Sequence, residues 1–542
     1  MLYLRIFWAL FLLPTLLSSQ NSTNEEVYRI FQQKCQSCHS NALKTGGLDL
    51  EGQGATQAQK MLNVYQKIYK VSPNNTFASQ RGDKLIYPGR ADKSFIFKKI
   101  NSGLEESISL GPNDGNAMPN YPSAGLSNTE KEIIRQWILF GAPSTGSVVN
   151  TAVVDQFYTS GGIKSFEKAP PAPLPGEGFQ IKMGPFFLAP LEEKEFYQKW
   201  EVDFADDIEV TGLDFNFGSF SHHFLLYNFT GGSELVPHGL REDANHNQIK
   251  LVAAVQQSTP IILPRGTAFF WEQHTVLDLN SHYINYSASL PVQCEAYVNV
   301  YTKPKGYAKQ EMIAELLANI FISIPNSGNI ITQEQAVVRN QNVFLWGMMG
   351  HTHKYGKNYK AFLRNPNGTK GEMIYDAACF NGTPGCPSPY FDYRHIPFKK
   401  IEPLKLLKFN PGIIHQAEYL NDGPNWVGWG ATSKEEMMIL IVFYTKDTVG
   451  VTTASEDLDK TEDHTFLEVY PNPMQDQITI ENKAENYKGE FILYNNIGHV
   501  LLKQVINQPK TTIDIGLISE GVYYYVFTSD NQETQKGKLI KY

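Results

Sequence analysis

The chain has 542 residues, a length that predicts three or four domains of roughly 150 residues each. Hydrophobic residues make up 42% and charged residues 19%, so each domain can bury a core, and 12% aromatics with plentiful Gly and Pro lean towards β-rich structure. The formal net charge of −8 argues against nucleic acid as a partner, because no basic field is available to collect phosphates.

Residues 1–20, "MLYLRIFWALFLLPTLLSSQ", carry one basic residue, a short apolar stretch interrupted by Pro14, and small residues at Ser18 and Ser19. That is the pattern of a secretory signal peptide, too short and broken for a membrane span. No Cys follows the apolar stretch, so lipidation is not expected, and the protein is read as exported.

Residues 21–147 hold helical patterns. Ser22 and Glu25 form a capping-box pair before a helix face of Val27, Ile30 and Phe31. Ser127 and Glu130 repeat the device before Ile133, Ile134, Trp137 and Ile138, with Gly141 as the stop. Between them stand Cys35-x-x-Cys38-His39 and the loop Met118-Pro119. Two thiols at this spacing can form thioethers with haem vinyl groups while the adjacent His39 ligates the iron. Met118 suits a distal thioether ligand, and its alternative is an ordinary loop residue. A redox dithiol would sit in a βαβ pattern and a zinc site would need a second ligand pair nearby; neither is present. The segment 24–143 resembles a c-type cytochrome domain, which implies one covalently bound haem c.

Residues 148–178 include "EKAPPAPLPGEG" and read as an extended, semi-rigid Pro-rich linker. Residues 179–447 show many short alternating strands separated by turn signals, the pattern of β-sandwiches. Cys379 and Cys386 bracket a turn-rich loop that could close a small disulfide, and Cys294 reads as a buried small apolar residue. The polar, acidic stretch 448–465 is a second linker, and 466–542 form a small all-β module.

Two histidine clusters stand out in the central block. His351 and His353 are two apart and can share one face of a strand. His222 and His223 are adjacent and would point to opposite faces unless a bulge or strand end intervenes. His282 is a further candidate, and Met437 or Met438 precedes an apolar strand. Imidazoles with one thioether suit copper cycling between Cu(I) and Cu(II).

In order, "SHHFLLYNF", "PRGTAFF…HYINYS", "VFLWGMMGHTHKYGKNYKAFLR" and "GWGATSKEEMMILIVFY" resemble the copper type II, ascorbate-dependent monooxygenases, the family of peptidylglycine α-hydroxylating monooxygenase and dopamine β-hydroxylase. The resemblance implies two β-sandwich domains of jelly-roll type, residues 179–305 and 306–447, with one copper ion each. His222, His223 and His282 would hold the electron-transfer copper. His351, His353 and Met437 would hold the catalytic copper that meets O2 and the small-molecule or peptide substrate. A solvent-filled cleft would separate the two. His274, His395 and His415 match no motif and are left as structural.

Two departures bear on substrate. Where peptide-hydroxylating members carry an Arg and a Tyr for the substrate carboxylate, this chain has Met349 and Ile441. A family disulfide is also absent, with Ala417 and Met438 at its positions. An external electron donor, ascorbate-like or a redox protein, is expected, with the tethered haem relaying single electrons to the first copper. The other class open to the sequence is a non-catalytic haem and copper electron carrier or copper binder.

The last block is similar to the C-terminal sorting domain of the type IX secretion system, on Tyr470-Pro471-Asn472-Pro473, Gly498, Gly521-Val522-Tyr523 and the Lys-rich end. The resemblance implies the type IX machinery as partner and a secreted or cell-surface location. The expected fold class is therefore multidomain and mainly β, with a helical N-terminal block and a small C-terminal β-sandwich.

Overall fold

The helical periodicities of the N-terminal block become α1 (Thr23–Lys34), α2 (Gln57–Ile68), α3 (Thr76–Gln80), α4 (Phe95–Ile100), α5 (Asn128–Leu139) and α6 (Thr151–Thr159). The computed structural model describes residues 22–541 except 121–123, 203, 205, 245–246, 339, 379–390, 409, 431–433, 453–466, 483–487, 496–499, 517, 520 and 531–533. The signal peptide, the Cys379–Cys386 loop and most of the second linker lie outside the described residues.

Both capping boxes form. Ser22 Oγ accepts the Glu25 N–H at 3.2 Å while Glu25 accepts the Ser22 N–H at 2.8 Å, and Ser127 and Glu130 do the same at 3.1 and 2.7 Å. The apolar faces of α1 and α5 share one cluster, in which Ile30, Ile134, Trp137 and Ile138 are fully buried. Each such aliphatic burial stabilises the block by about 1.5–3 kcal/mol.

The first linker differs from expectation. Residues Thr151–Thr159 form α6, capped by Asn150, and Ile163–Lys164 pair with Val292–Gln293. The helical spacing of Val153, Val154 and Phe157 supplies an apolar face, and Phe157 packs on Phe187 with ring centroids 5.0 Å apart. The Pro-rich composition of the residues that follow hides this helix in the sequence.

Two sandwiches follow. In the first, Val292–Pro304 pairs with Gly178–Leu188 and Ile208–Phe217 in one sheet. The other sheet orders Glu193–Glu201, Val276–Ile284, Ser221–Phe229 and Ile249–Val255. In the second, one sheet orders Ile313–Ala318, Ile439–Thr445, Val343–His351 and Lys399–Leu407, and the other Ile330–Val337, Ile413–Leu420, Gly356–Arg364 and Lys370–Asp376. A single apolar cluster runs through both sandwiches and takes in Leu139 of α5.

The helical block is therefore seated on the first sandwich and does not swing on a tether. Three glycines, all at positive φ, make the contact: a Cβ on Gly239 would lie 2.3 Å from Gly141 N, and one on Gly89 would lie 2.7 Å from Gly239 N. Only a residue without a Cβ lets the two backbones approach so closely. Arg90 stacks 4.0 Å over the Trp200 ring, and Phe140 meets Phe196 at 5.7 Å.

The described residues of 1–453 form one compact unit and those of 454–542 another. The second has a three-stranded and a four-stranded sheet around Ile478, Ile480, Phe491, Leu493 and Phe527. The chain is mainly β, with several sheets and a small C-terminal β unit.

Candidate metal centre and cofactor cavity

Adjacent histidines face the same way only if the strand breaks its alternation, and it does. His223 stands opposite His282 and Ser221 opposite Tyr283, so His222 is the extra residue of a β-bulge. The rings of His222, His223 and His282 lie 5.3–5.5 Å apart by centroid. Each can offer a ligand atom within 4.8 Å of the others, and all three are buried.

Two carboxylates on the neighbouring strand fix the rings. His282 Nε2 meets Glu193 Oε1 at 2.8 Å and His223 Nε2 meets Glu195 Oε1 at 3.3 Å. Glu195 also accepts from Asn280 at 3.0 Å. Engaging Nε2 turns Nδ1 towards the cluster: His282 Nδ1 is buried with no hydrogen-bond partner, and His223 Nδ1 meets His222 Nδ1 at 3.3 Å. Burial pushes the Glu195 carboxyl up, but its His223 and Asn280 contacts outweigh that and hold it at about 2. Burial, then repulsion from neighbouring histidines, drives His222 well below its ordinary value. An imidazole so held is neutral and open to a metal.

His351 ends the strand Val343–His351, and His353 lies in the turn after it, their rings 5.3 Å apart. His353 Nδ1 faces the Glu435 carbonyl at 3.0 Å, which leaves Nε2 free. Burial lowers His353 to about 4. The fully buried Glu436 accepts the N–H groups of both His353 and Met437, at 2.8 and 3.1 Å. Met438 is spent in the core, its sulfur 3.6 Å from Asn319 Nδ2, whereas Met437 is half-buried.

Among the described residues no cleft separates the two sets. The His222 ring lies 6.1 Å from His351 and 6.5 Å from His353, and His223 lies 5.6 Å from His351. The five imidazoles make one buried cluster, because the core of the two sandwiches is continuous and brings the bulged strand against the end of Val343–His351. Tyr393 lies beside it, 5.9 Å from His222. Met349 and Ile441 face each other across adjacent strands, both buried in the core. Neither side chain offers a charge to a carboxylate.

Of the unassigned histidines, His415 is a core residue, bonded to Tyr359 at 2.7 Å and Gln335 at 2.9 Å, and His395 pairs with Asp392 at 2.9 Å. Cys294 is free and fully buried.

In the helical block, Cys35, Cys38, His39 and Met118 line one cavity of about 430 Å³, with apolar residues such as Leu50, Leu85 and Phe95 on its wall and Lys34, Lys99 and Asp114 among its polar lining. Both thiols are free, and His39 Nδ1 is buried without a partner. Burial pushes the Cys35 thiol up to about 12. Four residues from two segments thus converge on one largely apolar space.

The sequence alone missed Glu193, Glu195 and Glu436. Glu193 and Glu195 alternate on one strand, a visible same-face pair, but nothing in the sequence sets that strand beside His282. Glu436 is signalled only by its burial.

Residues 468–542 match the secretion system C-terminal sorting domain. This segment marks the protein for type IX secretion and a cell-surface location. No curated protein matches the chain. Among solved structures, it is similar to PorZ, a bacterial surface component of the type IX secretion system of Porphyromonas gingivalis, at 14% identity over 19% of this chain and 14% of that one, with a TM-score of 0.13. A β-D-glucuronidase from Dictyoglomus thermophilum is 7% identical over 44% of this chain and 45% of its own, with a TM-score of 0.14. The BSP domain of a biofilm-associated protein is 8% identical over 64% of this chain and 81% of its own, with a TM-score of 0.13.

Proposed function

We propose that the protein is a cell-surface copper monooxygenase that hydroxylates a C–H bond with O2, and that its helical block is a cytochrome module carrying one haem c. The observation that carries this reading is the convergence of His222, His223, His282, His351 and His353 into one buried cluster. The two sandwiches would then be the jelly-roll pair of the copper type II family.

The donor sets fit copper. His222, His223 and His282 would hold one ion, and His351, His353 and Met437 the other. Copper supplies one-electron storage at each site, matching the two electrons that insertion of one oxygen atom needs beyond those of the substrate. The chain does the rest. Glu193 and Glu195 orient the His282 and His223 rings through Nε2, burial keeps His222, His223, His351 and His353 neutral, and the soft Met437 thioether would favour the reduced state.

The cavity fits haem. Cys35 and Cys38 would attach it, and His39 and Met118 would be its axial ligands, a pair that sets a high potential suited to an electron carrier. The seated helical block would pass single electrons to the first copper. The Met349–Ile441 pair argues against substrates recognised through a terminal carboxylate.

One observation favours the non-catalytic alternative, an electron-transfer or copper-binding protein: all five rings are buried, leaving no open mouth for substrate among the described residues. Metal analysis and haem spectroscopy of the purified protein test the first step. Two coppers and one haem per chain are expected; zinc alone, or no haem, refutes the reading. Substrate-dependent O2 uptake with a hydroxylated product separates the enzyme from the carrier.

A further inference from the structure

Glu436 is a fully buried carboxylate that meets the site's backbone, and among the described residues its side chain accepts hydrogen bonds from main-chain N–H groups. Its Oε2 takes His353 at 2.8 Å and Met437 at 3.1 Å, and its Oε1 takes Tyr355 at 2.8 Å. Its own backbone is pinned as well: the N–H donates to Gly428 at 2.9 Å and the carbonyl accepts from Gly430 at 3.1 Å. The side chain thus ties the His353 turn to the segment that leads into the strand Ile439–Thr445.

We infer that Glu436 is the positioning residue of the second metal set, holding the His353 imidazole and the Met437 thioether at a fixed separation; this rests on the copper reading above. The reasoning is geometric. His353 is gripped twice by one dipeptide, its N–H by Glu436 and its ring Nδ1 by the Glu435 carbonyl at 3.0 Å. Met437 is gripped by the same Glu436 oxygen that takes His353. Moving that oxygen moves both donors. Burying a carboxylate among neutral donors is costly, and fixing two metal ligands from different segments is a return that packing alone would not require. The turn has no slack to absorb a shift: a Cβ on Gly356 would lie 2.1 Å from Thr352 Oγ1.

The test compares the full chain with Glu436→Gln by competitive Cu(I) titration and X-ray absorption. In Glu436→Gln the amide oxygen can replace Oε2, but the amide NH2 then faces the Tyr355 N–H, donor against donor. Copper at the second set is expected to weaken ~10–100-fold, with loss of the copper–sulfur signal. Copper at the His222/His223/His282 set stays unchanged, which a general loss of structure would not allow. Glu436→Asp keeps the charge but is one methylene too short for all three donors; it serves if the Gln variant loses both coppers, and the same selective weakening is expected. Equal affinity and an unchanged sulfur signal in the variants overturn the inference while the copper reading stands. A wild-type chain that binds no copper overturns the copper reading itself.

Discussion

Replacing Glu193 or Glu195 by Gln tests whether the first histidine set is built for a metal or merely packed. Each carboxylate holds one imidazole by Nε2, at 2.8 Å for His282 and 3.3 Å for His223. Gln keeps an acceptor for that N–H but loses the charge, and a charge-assisted hydrogen bond is about twice as strong as a neutral one. Losing such a support costs ~10–100-fold in metal affinity, or about 1.4–2.7 kcal/mol. Glu193→Gln should sit at the upper end, because its bond is the shorter. Glu195→Gln should sit lower, its 3.3 Å contact being the weaker starting point. Competitive copper titration of the purified protein reads both, with Glu372→Gln as control, since Glu372 pairs with Lys405 at the exposed surface. Unchanged copper affinity in both site variants, or an equal loss in the control, would refute the reasoning and leave these carboxylates as ordinary strand neighbours.

His351→Ala should remove the second copper and spare the first, which elemental analysis reads as a fall from two ions per chain to one. Cys35→Ser with Cys38→Ser should leave no haem bound covalently, so that acidified organic solvent extracts any pigment; haem resistant to extraction would contradict the cavity assignment. Stability should fall with acid through His415. Burial lowers this residue to about 4, against ~6.5 when unfolded. Its contribution is full above the unfolded value and is lost as pH falls towards 4, by roughly 3 kcal/mol. Denaturant midpoints at pH 7 and pH 5 should show this step in the wild type and not in His415→Gln. Deleting residues 466–542 should keep the protein from the cell surface, which surface proteolysis of intact cells would reveal.

Local patterns were legible where one segment carries its own reason. Ser22 with Glu25, and Ser127 with Glu130, cap helices because a hydroxyl and a carboxylate three residues apart satisfy two orphan N–H groups without help from the rest of the chain. Cys35, Cys38 and His39 lie within one turn, so their shared cavity wall follows from spacing. The requirement for a bulge at His222 was legible too, as a condition on adjacent histidines, although its realisation depends on which strand lies opposite. The helix Thr151–Thr159 was hidden because the Pro-rich residues beside it dominate the composition of that stretch.

The sequence by itself determined the chemical vocabulary: five histidines and a methionine in four separated segments, a Cys-x-x-Cys-His element, and a C-terminal export module. Only the tertiary structure decided how these are combined. Strand pairing set Glu193 and Glu195 against His282 and His223, partners 89 and 28 residues away along the chain. A continuous core drew the two histidine sets to within 5.6 Å where a cleft was expected. Glycine contacts at Gly89, Gly141 and Gly239 turned a supposed tether into a fixed seat for the helical block. Side-chain spacing within an element follows from backbone geometry, which the sequence reports; distances between elements follow from how their apolar faces close on one another, which it does not.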